Sequence, residues 1–248
     1  MKIEILASKQ DLGRRAAALG GAAIREAIAA RRAARIVVAT GASQFEMLDA
    51  LVADAGIDWS KVTGFHLDEY IGMPDTHPAS FRRYLRERFT SRLPKLGVFH
   101  FIIGDAPDLD GEIARVNDLV KQAPIDVCFA GIGENAHLAF NDPPADFETK
   151  APFMRVALDD ACRRQQFGEG WFPTFDDVPK EAISMSIAEI MAAKKLILTV
   201  PDARKAAAVK GALEGPVTPD CPASIIQRHP DCWLGLDPES AKELKNKH

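Results

Sequence analysis

The sequence predicts an α/β protein built on a mainly parallel sheet with helices on both faces. Three observations carry that prediction. Short apolar runs alternate with amphipathic stretches along the 248 residues, the rhythm of strand–helix–strand units. Runs such as "ARIVVAT" and "KKLILTV" are apolar at consecutive positions, as strands covered on both faces are. Polar, often glycine-containing segments fall just after several of these runs, at the carboxyl ends where such sheets gather ligands.

Taken in order, "KIEILA" alternates into a short strand, and Ser8 can cap a long alanine-rich helix reaching Arg31 or Arg32. "ARIVVAT" (Ala34 to Thr40) is a buried strand ending in Gly41, followed by a helix with Phe45, Leu48, Leu51 and Val52 on one face. "VTGFHLDEY" reads as one further strand, "SFRRYLRERF" as a helix and "GVFHFII" as a strand. "LDGEIARVNDLVKQ" is helical, and "IDVCFAGIG" is a strand breaking into a loop. Near the end come the strand "KKLILTV", the helix "ARKAAAVKGALEG" and the strand "CWLGLD". No repeat or linker-like shift in composition divides the chain, so residues 1–248 are expected to form one domain.

Composition narrows the function. Hydrophobic residues at 47% and charged residues at 27% are ordinary for a soluble globular protein. A net charge of −4 argues against a nucleic-acid surface, and the basic cluster in "RRYLRERF" has the spacing of a solvated helix face. Four cysteines at wide intervals suit reduced thiols in a cytoplasm rather than a disulfide framework or zinc site. Neither a signal peptide nor a membrane span is legible, so a cytoplasmic protein is expected.

The segment "CFAGIGENAHLAFNDPPADF" (Cys128 to Phe147) contains the G-x-G-x-x-A spacing of a dinucleotide turn. That motif needs a long helix directly afterwards to receive the pyrophosphate, and Pro143 and Pro144 forbid one. The NAD reading fails there. What remains is an imidazole, His137, able to carry protons near neutral pH, with Asp142 five residues on to orient it if the loop curls back. The plainer alternative is a helix-start histidine and a turn-capping aspartate. Asp68 ends an apolar run at the expected cleft edge, although it could equally cap a short helix. Gly41, Ala42 and Ser43 can turn backbone amides and a hydroxyl toward an anion, or form a simple tight turn. Three such loops after three strands weigh more than any one.

Together, "ATGAS", "LDEYIGM" and "GIGENAHLAFNDP", in this order, resemble the glucosamine-6-phosphate deaminase/isomerase family, and "DDVPKEAISMSIAEIMAAKKLIL" and "KAAAVKGALEG" extend the resemblance over nearly the whole chain. It implies a modified doubly wound (Rossmann-like) sheet and a cofactor-free and metal-free conversion of an amino sugar phosphate to a ketose phosphate with release of ammonia. It implies Asp68 as the general base between C2 and C1, His137 as the ring-opening group, and Asp142, where the family usually has Glu, as its orienter. Asn135 falls at a position that is Asp or Asn in the family. Gly41, Ala42 and Ser43 match the phosphate loop and Lys205 its lysine partner.

The departures are Asp142, shorter by a methylene; Ala136 in place of a glycine; and "CRRQQFGEGWF" where many members carry an arginine before paired aromatics. Arg163 or Arg164 is expected to replace that arginine. Residues 162–178, with Gly168, Gly170 and Trp171, are expected to form a lid. Two alternatives stay open at this point: a non-enzymatic sugar-phosphate sensor, for which the chain leaves no room for an attached DNA-binding module, and a lactonase-type hydrolase, which has no clear need for Asp68. The expected partner is a small-molecule amino sugar phosphate, with no nucleic acid and no membrane, and a homo-oligomer is compatible with this reading.

Overall fold

The computed structural model describes residues 1–245. The chain runs β1 (Lys2–Ile5), α1 (Lys9–Arg31), β2 (Ala34–Val38), α2 (Phe45–Val52), β3 (Val62–His66), β4 (Asp68–Tyr70), α3 (Phe81–Arg88), β5 (Val98–His100) and α4 (Leu109–Lys121). It continues with β6 (Val127–Ala130), β7 (Phe153–Ala157), α5 (Asp160–Gly168), β8 (Glu181–Met185), α6 (Ile187–Ala192), β9 (Lys195–Val200), α7 (Ala206–Glu214) and β10 (Cys232–Leu236). Seven strands form a parallel sheet in the order β1-β10-β9-β6-β2-β3-β5. These are the seven apolar runs of the sequence.

Period-two alternation divides the strands between two cores. Val37, Cys128, Leu196 and Leu198 face a cluster with Val116 and Val120 of α4, Ile187 and Ile190 of α6, and Val209 of α7. Their neighbours Ile36, Val38, Phe129 and Ile197 face the opposite cluster with Leu12 and Ile24 of α1, Leu48 of α2 and Leu85 of α3. Each fully buried aliphatic or aromatic side chain contributes about 1.5–3 kcal/mol, so the continuous apolar runs are what hold both helix layers to the sheet. Ser8 caps α1 as expected, its hydroxyl accepting from the Asp11 N–H at 3.1 Å.

One expectation needs correcting. "VTGFHLDEY" is two strands, because the chain leaves the parallel sheet at Leu67 and β4 enters a separate antiparallel sheet, β4-β8-β7. Hydropathy is continuous across that break, since β4 is buried too, so the run carries no mark of it. The switch matters, because it puts Asp68 at the first position of β4, directly above the carboxyl end of β3. The chain reverses direction across the sheet between β2 and its neighbour β6, which opens a crevice at their carboxyl ends.

Candidate active site

A cleft with a volume of about 120 Å³, partly open to solvent, occupies that crevice. Its walls are the segments following β2, β3, β6 and β9, plus the C-terminal end of α5. Asp68, His137, Gly41, Ala42, Ser43 and Lys205 all line it. Asn135 and Asp142 stand behind His137.

Strand β8 joins the two reactive segments. Its Ser184 pairs with Asp68 in the antiparallel ladder, and the Met185 N–H donates to the Leu67 carbonyl at 2.7 Å. The same strand grips the His137 loop. The Phe140 N–H donates to Ser184 Oγ at 3.0 Å, and the buried Asn141 amide donates to the carbonyls of Met185 at 2.8 Å and Leu138 at 2.7 Å. Asn141, the last residue of "AFN", is therefore the cross-tie that fixes the histidine loop relative to Asp68.

Within the loop, the Asp142 carboxylate accepts from His137 Nδ1 at 3.1 Å, from Asn135 Nδ2 at 2.9 Å and from the Asp159 N–H at 3.0 Å. Burial would raise the Asp142 carboxyl, but the His137 and Asn135 hydrogen bonds and the Asp159 amide outweigh it and hold the pKa below the usual value. A charged carboxylate at Nδ1 favours the tautomer that carries its proton there, leaving Nε2 free to exchange protons with a ligand. The shorter aspartate reaches the ring because the backbone turns tightly at Leu138 and Asn141, with Ala139 at φ +52. Ala136 takes the left-handed conformation, φ +66, at the position where the family has glycine. Its N–H donates to the Gly133 carbonyl and its carbonyl accepts from Ala223. Gly133 is required by contact: a Cβ there would overlap the His137 imidazole.

Asp68 is buried and lines the cleft, and among the described residues no hydrogen bond reaches its carboxylate. Burial pushes its carboxyl up to about 8, and the Glu69 charge adds to the shift. Its sequence neighbours do other work. Glu69 is fully buried and accepts from Ser80 Oγ and from the N–H groups of Phe81 and Arg82, so it anchors the start of α3. His66 is committed as well. Its Nε2 accepts from the Ile102 N–H at 2.8 Å, and burial pushes its pKa down to about 3, which leaves it neutral.

At the other end of the cleft, Gly41 has φ +101, a conformation that leads into the turn before α2, and its carbonyl accepts from Tyr84 Oη at 2.9 Å. Ser43 Oγ accepts from Gln44 Nε2 at 3.0 Å. Lys205 is buried, and desolvation lowers its pKa while the Glu134 and Glu169 charges oppose that shift. Lys9 and Arg204 complete the positive lining, with Gln165, Gln166 and Glu169 of the 162–178 segment opposite. Sequence reasoning missed these five. Arg204 adjoins Lys205, and the two glutamines stand inside the quoted "CRRQQFGEGWF", so proximity to the expected site was the available signal.

Arg163 and Arg164 do not line the cleft. Arg163 is buried in α5 and donates to the carbonyls of Phe175 and Val178. Arg164 is exposed, pairs with Asp160 at 3.9 Å and borders an outer groove that Gly168 also lines. Gly170 has φ +83, Trp171 is 38% exposed, and Phe172 is buried against Tyr70. A His137 ring nitrogen, an Asp142 oxygen and Cys162 Sγ lie within 4.8 Å of one another. A metal there would have to break the His137–Asp142 hydrogen bond, and burial pushes the Cys162 thiol far from its thiolate form.

Residues 7–233 match the family of glucosamine-6-phosphate isomerases and 6-phosphogluconolactonases. The chain belongs to that family. Within it, the chain is 34% identical over 245 residues to a glucosamine-6-phosphate deaminase of Lactobacillus delbrueckii subsp. bulgaricus, covering 99% of this chain and 100% of the relative. It is 33% identical over 247 residues to one of Oenococcus oeni, covering 100% of both. Among solved structures, a monomeric glucosamine-6-phosphate deaminase superposes with a TM-score of 0.89 at 29% identity, covering 98% of this chain and 100% of that one. A 6-phosphogluconolactonase of Shewanella baltica shares the family fold, with a TM-score of 0.75 at 19% identity over 96% and 97% of the two chains.

Proposed function

We propose that this protein converts glucosamine 6-phosphate, or a close analogue, to fructose 6-phosphate and ammonia. His137, oriented by Asp142, moves a proton between the ring oxygen and O1, which opens the pyranose to the aldehyde. Asp68 then takes the C2 proton, giving an enolamine, and returns a proton at C1, which leaves an imine at C2. Water adds to that imine and ammonia departs, so one water is consumed for each ammonia released. A carboxylate suits the transfer because it accepts and returns a proton from one position. The substrate's ammonium beside Asp68 favours the ionised carboxylate that burial disfavours.

The phosphate lies toward Gly41, Ala42, Ser43 and Lys205, and the 162–178 segment covers the sugar. The observation that carries this reading is the unpaired Asp68 carboxylate on the same cleft as a histidine held by its own carboxylate. A lactone hydrolase has no use for the first of these. Ammonia release across a panel of hexosamine 6-phosphates and unphosphorylated hexosamines tests it. Hydrolysis of 6-phosphogluconolactone with no ammonia from any amino sugar would refute it.

A further inference from the structure

We infer that Arg204 is a specificity-determining anion ligand of this cleft, held between Asp202 and Glu134 and transferred in part to the substrate's phosphoryl group on binding. The inference rests on the proposed function for the identity of the substrate, but not for the anion affinity itself. Three cations line the cleft, and Arg204 is the one guanidinium among them within the described residues. The two arginines of the 162–178 segment are otherwise engaged, Arg163 by backbone carbonyls and Arg164 in the outer groove. A phosphoryl dianion is held best by a planar fork of donors, which a lysine cannot supply.

Arg204 is loosely held. Its Nη1 lies 3.3 Å from Glu134, its Nε and Nη2 lie 3.5 and 3.4 Å from the Asp202 carboxylate, and the side chain is 51% exposed. Charge-assisted bonds that are fully made run about 2.7–2.9 Å, so the fork is pre-positioned with donor capacity unused. It also borders both the cleft and the outer groove that Glu134 lines. A change of side-chain rotamer is therefore enough to exchange one anion for another.

The backbone beneath it is strained. Asp202 has φ +93 and ψ 136, a region that residues other than glycine rarely enter. Two hydrogen bonds from its N–H to the buried Asp237 carboxylate, both 3.1 Å, hold it there. In that conformation Asp202 accepts from the Arg204 N–H at 3.2 Å and lies 3.7 Å from Lys9 Nζ. One strained carboxylate thus gathers two of the three cleft cations.

Inorganic phosphate is the probe, by direct titration and as a competitive inhibitor. Arg204→Gln should weaken phosphate binding about tenfold or more and raise KM for the sugar phosphate more than it lowers kcat. Glu134→Gln should do the opposite and tighten phosphate several-fold, because one of the two carboxylates competing for Arg204 is gone. A structural role for Arg204 would not give opposite signs at the two positions. Unchanged phosphate affinity in Arg204→Gln, or weaker binding in Glu134→Gln, overturns the inference. A protein that binds phosphate through Arg204 but releases no ammonia from any hexosamine phosphate would refute the proposed function and leave this inference standing.

Discussion

Replacing Asp68 by asparagine removes the proposed base and a buried charge in one step, and the two effects separate by pH. In the folded protein the carboxyl titrates near 8, against 3.8 for the free group. A raised folded-state value means the native protein holds the proton more tightly than the unfolded chain. Stability from this group is therefore fully present below about pH 4 and is lost as pH rises to about 8. At 1.36 kcal/mol per tenfold, the ceiling on that loss is roughly 5–6 kcal/mol. Relaxation around a buried charge lowers this to an expected loss on the order of a few kcal/mol.

Asparagine does not titrate. The variant should match the parent in denaturant unfolding near pH 4 and exceed it by that amount above pH 8. Turnover at pH 8 should fall by roughly two orders of magnitude or more, as for loss of a general base. The parent's kcat/KM should rise with pH through about 8 as free Asp68 ionises. A stability difference that stays constant across this range would refute the desolvated carboxyl, and near-parent turnover would remove Asp68 from the chemistry.

The remaining expectations concern the histidine loop and the lid. His137→Gln should slow the cyclic amino sugar severely but slow the reverse reaction, from fructose 6-phosphate and ammonia, less. Equal losses in initial rates both ways would mean His137 does more than open rings. Gly133→Ala should displace the imidazole and cost activity with the far-ultraviolet circular dichroism retained; parent-like rates would show that the ring tolerates the added methyl. The depressed Asp142 carboxyl contributes stability above its unfolded value of 3.8 that is lost as pH falls through its lower folded value. Asp142→Asn should therefore be destabilised most at neutral pH and should approach the parent in acid unfolding curves. Trp171, exposed where Trp59 and Trp233 are buried, should change its fluorescence when a sugar phosphate binds, and an unchanged signal would count against closure of residues 162–178.

The parallel sheet was legible because burial on both faces writes itself as consecutive apolar residues in the central strands β2, β6 and β9, while the edge strand β1 shows as alternation. The antiparallel sheet was not. "FMRVA" and "EAISM" are five residues each, and what defines them is pairing between distant segments, β7 with β8 and β8 in turn with β4. Asp68, His137 and Asp142 could be picked out because their loops follow strands, and strand ends converge in such folds. Arg163 misled for a physical reason. A charged residue on an amphipathic segment reads as exposed, and only the folded chain brings the carbonyls of Phe175 and Val178 to it. Arg204 was passed over because its neighbour Lys205 already accounted for the motif, and its role depends on the conformation of Asp202, which sequence does not show.

In the proposed reaction the C2 proton of an amino sugar phosphate moves by way of Asp68, and a labelled substrate follows that proton. With glucosamine 6-phosphate deuterated at C2, the product should be fructose 6-phosphate, formed in equal amount with ammonia. Its deuterium should have left C2, partly to solvent and partly to C1, and the rate should show a primary isotope effect under conditions where proton transfer limits it. Asp68→Asn should suppress that transfer. Ammonia released with the deuterium still at C2, or transfer undiminished in Asp68→Asn, would contradict the account.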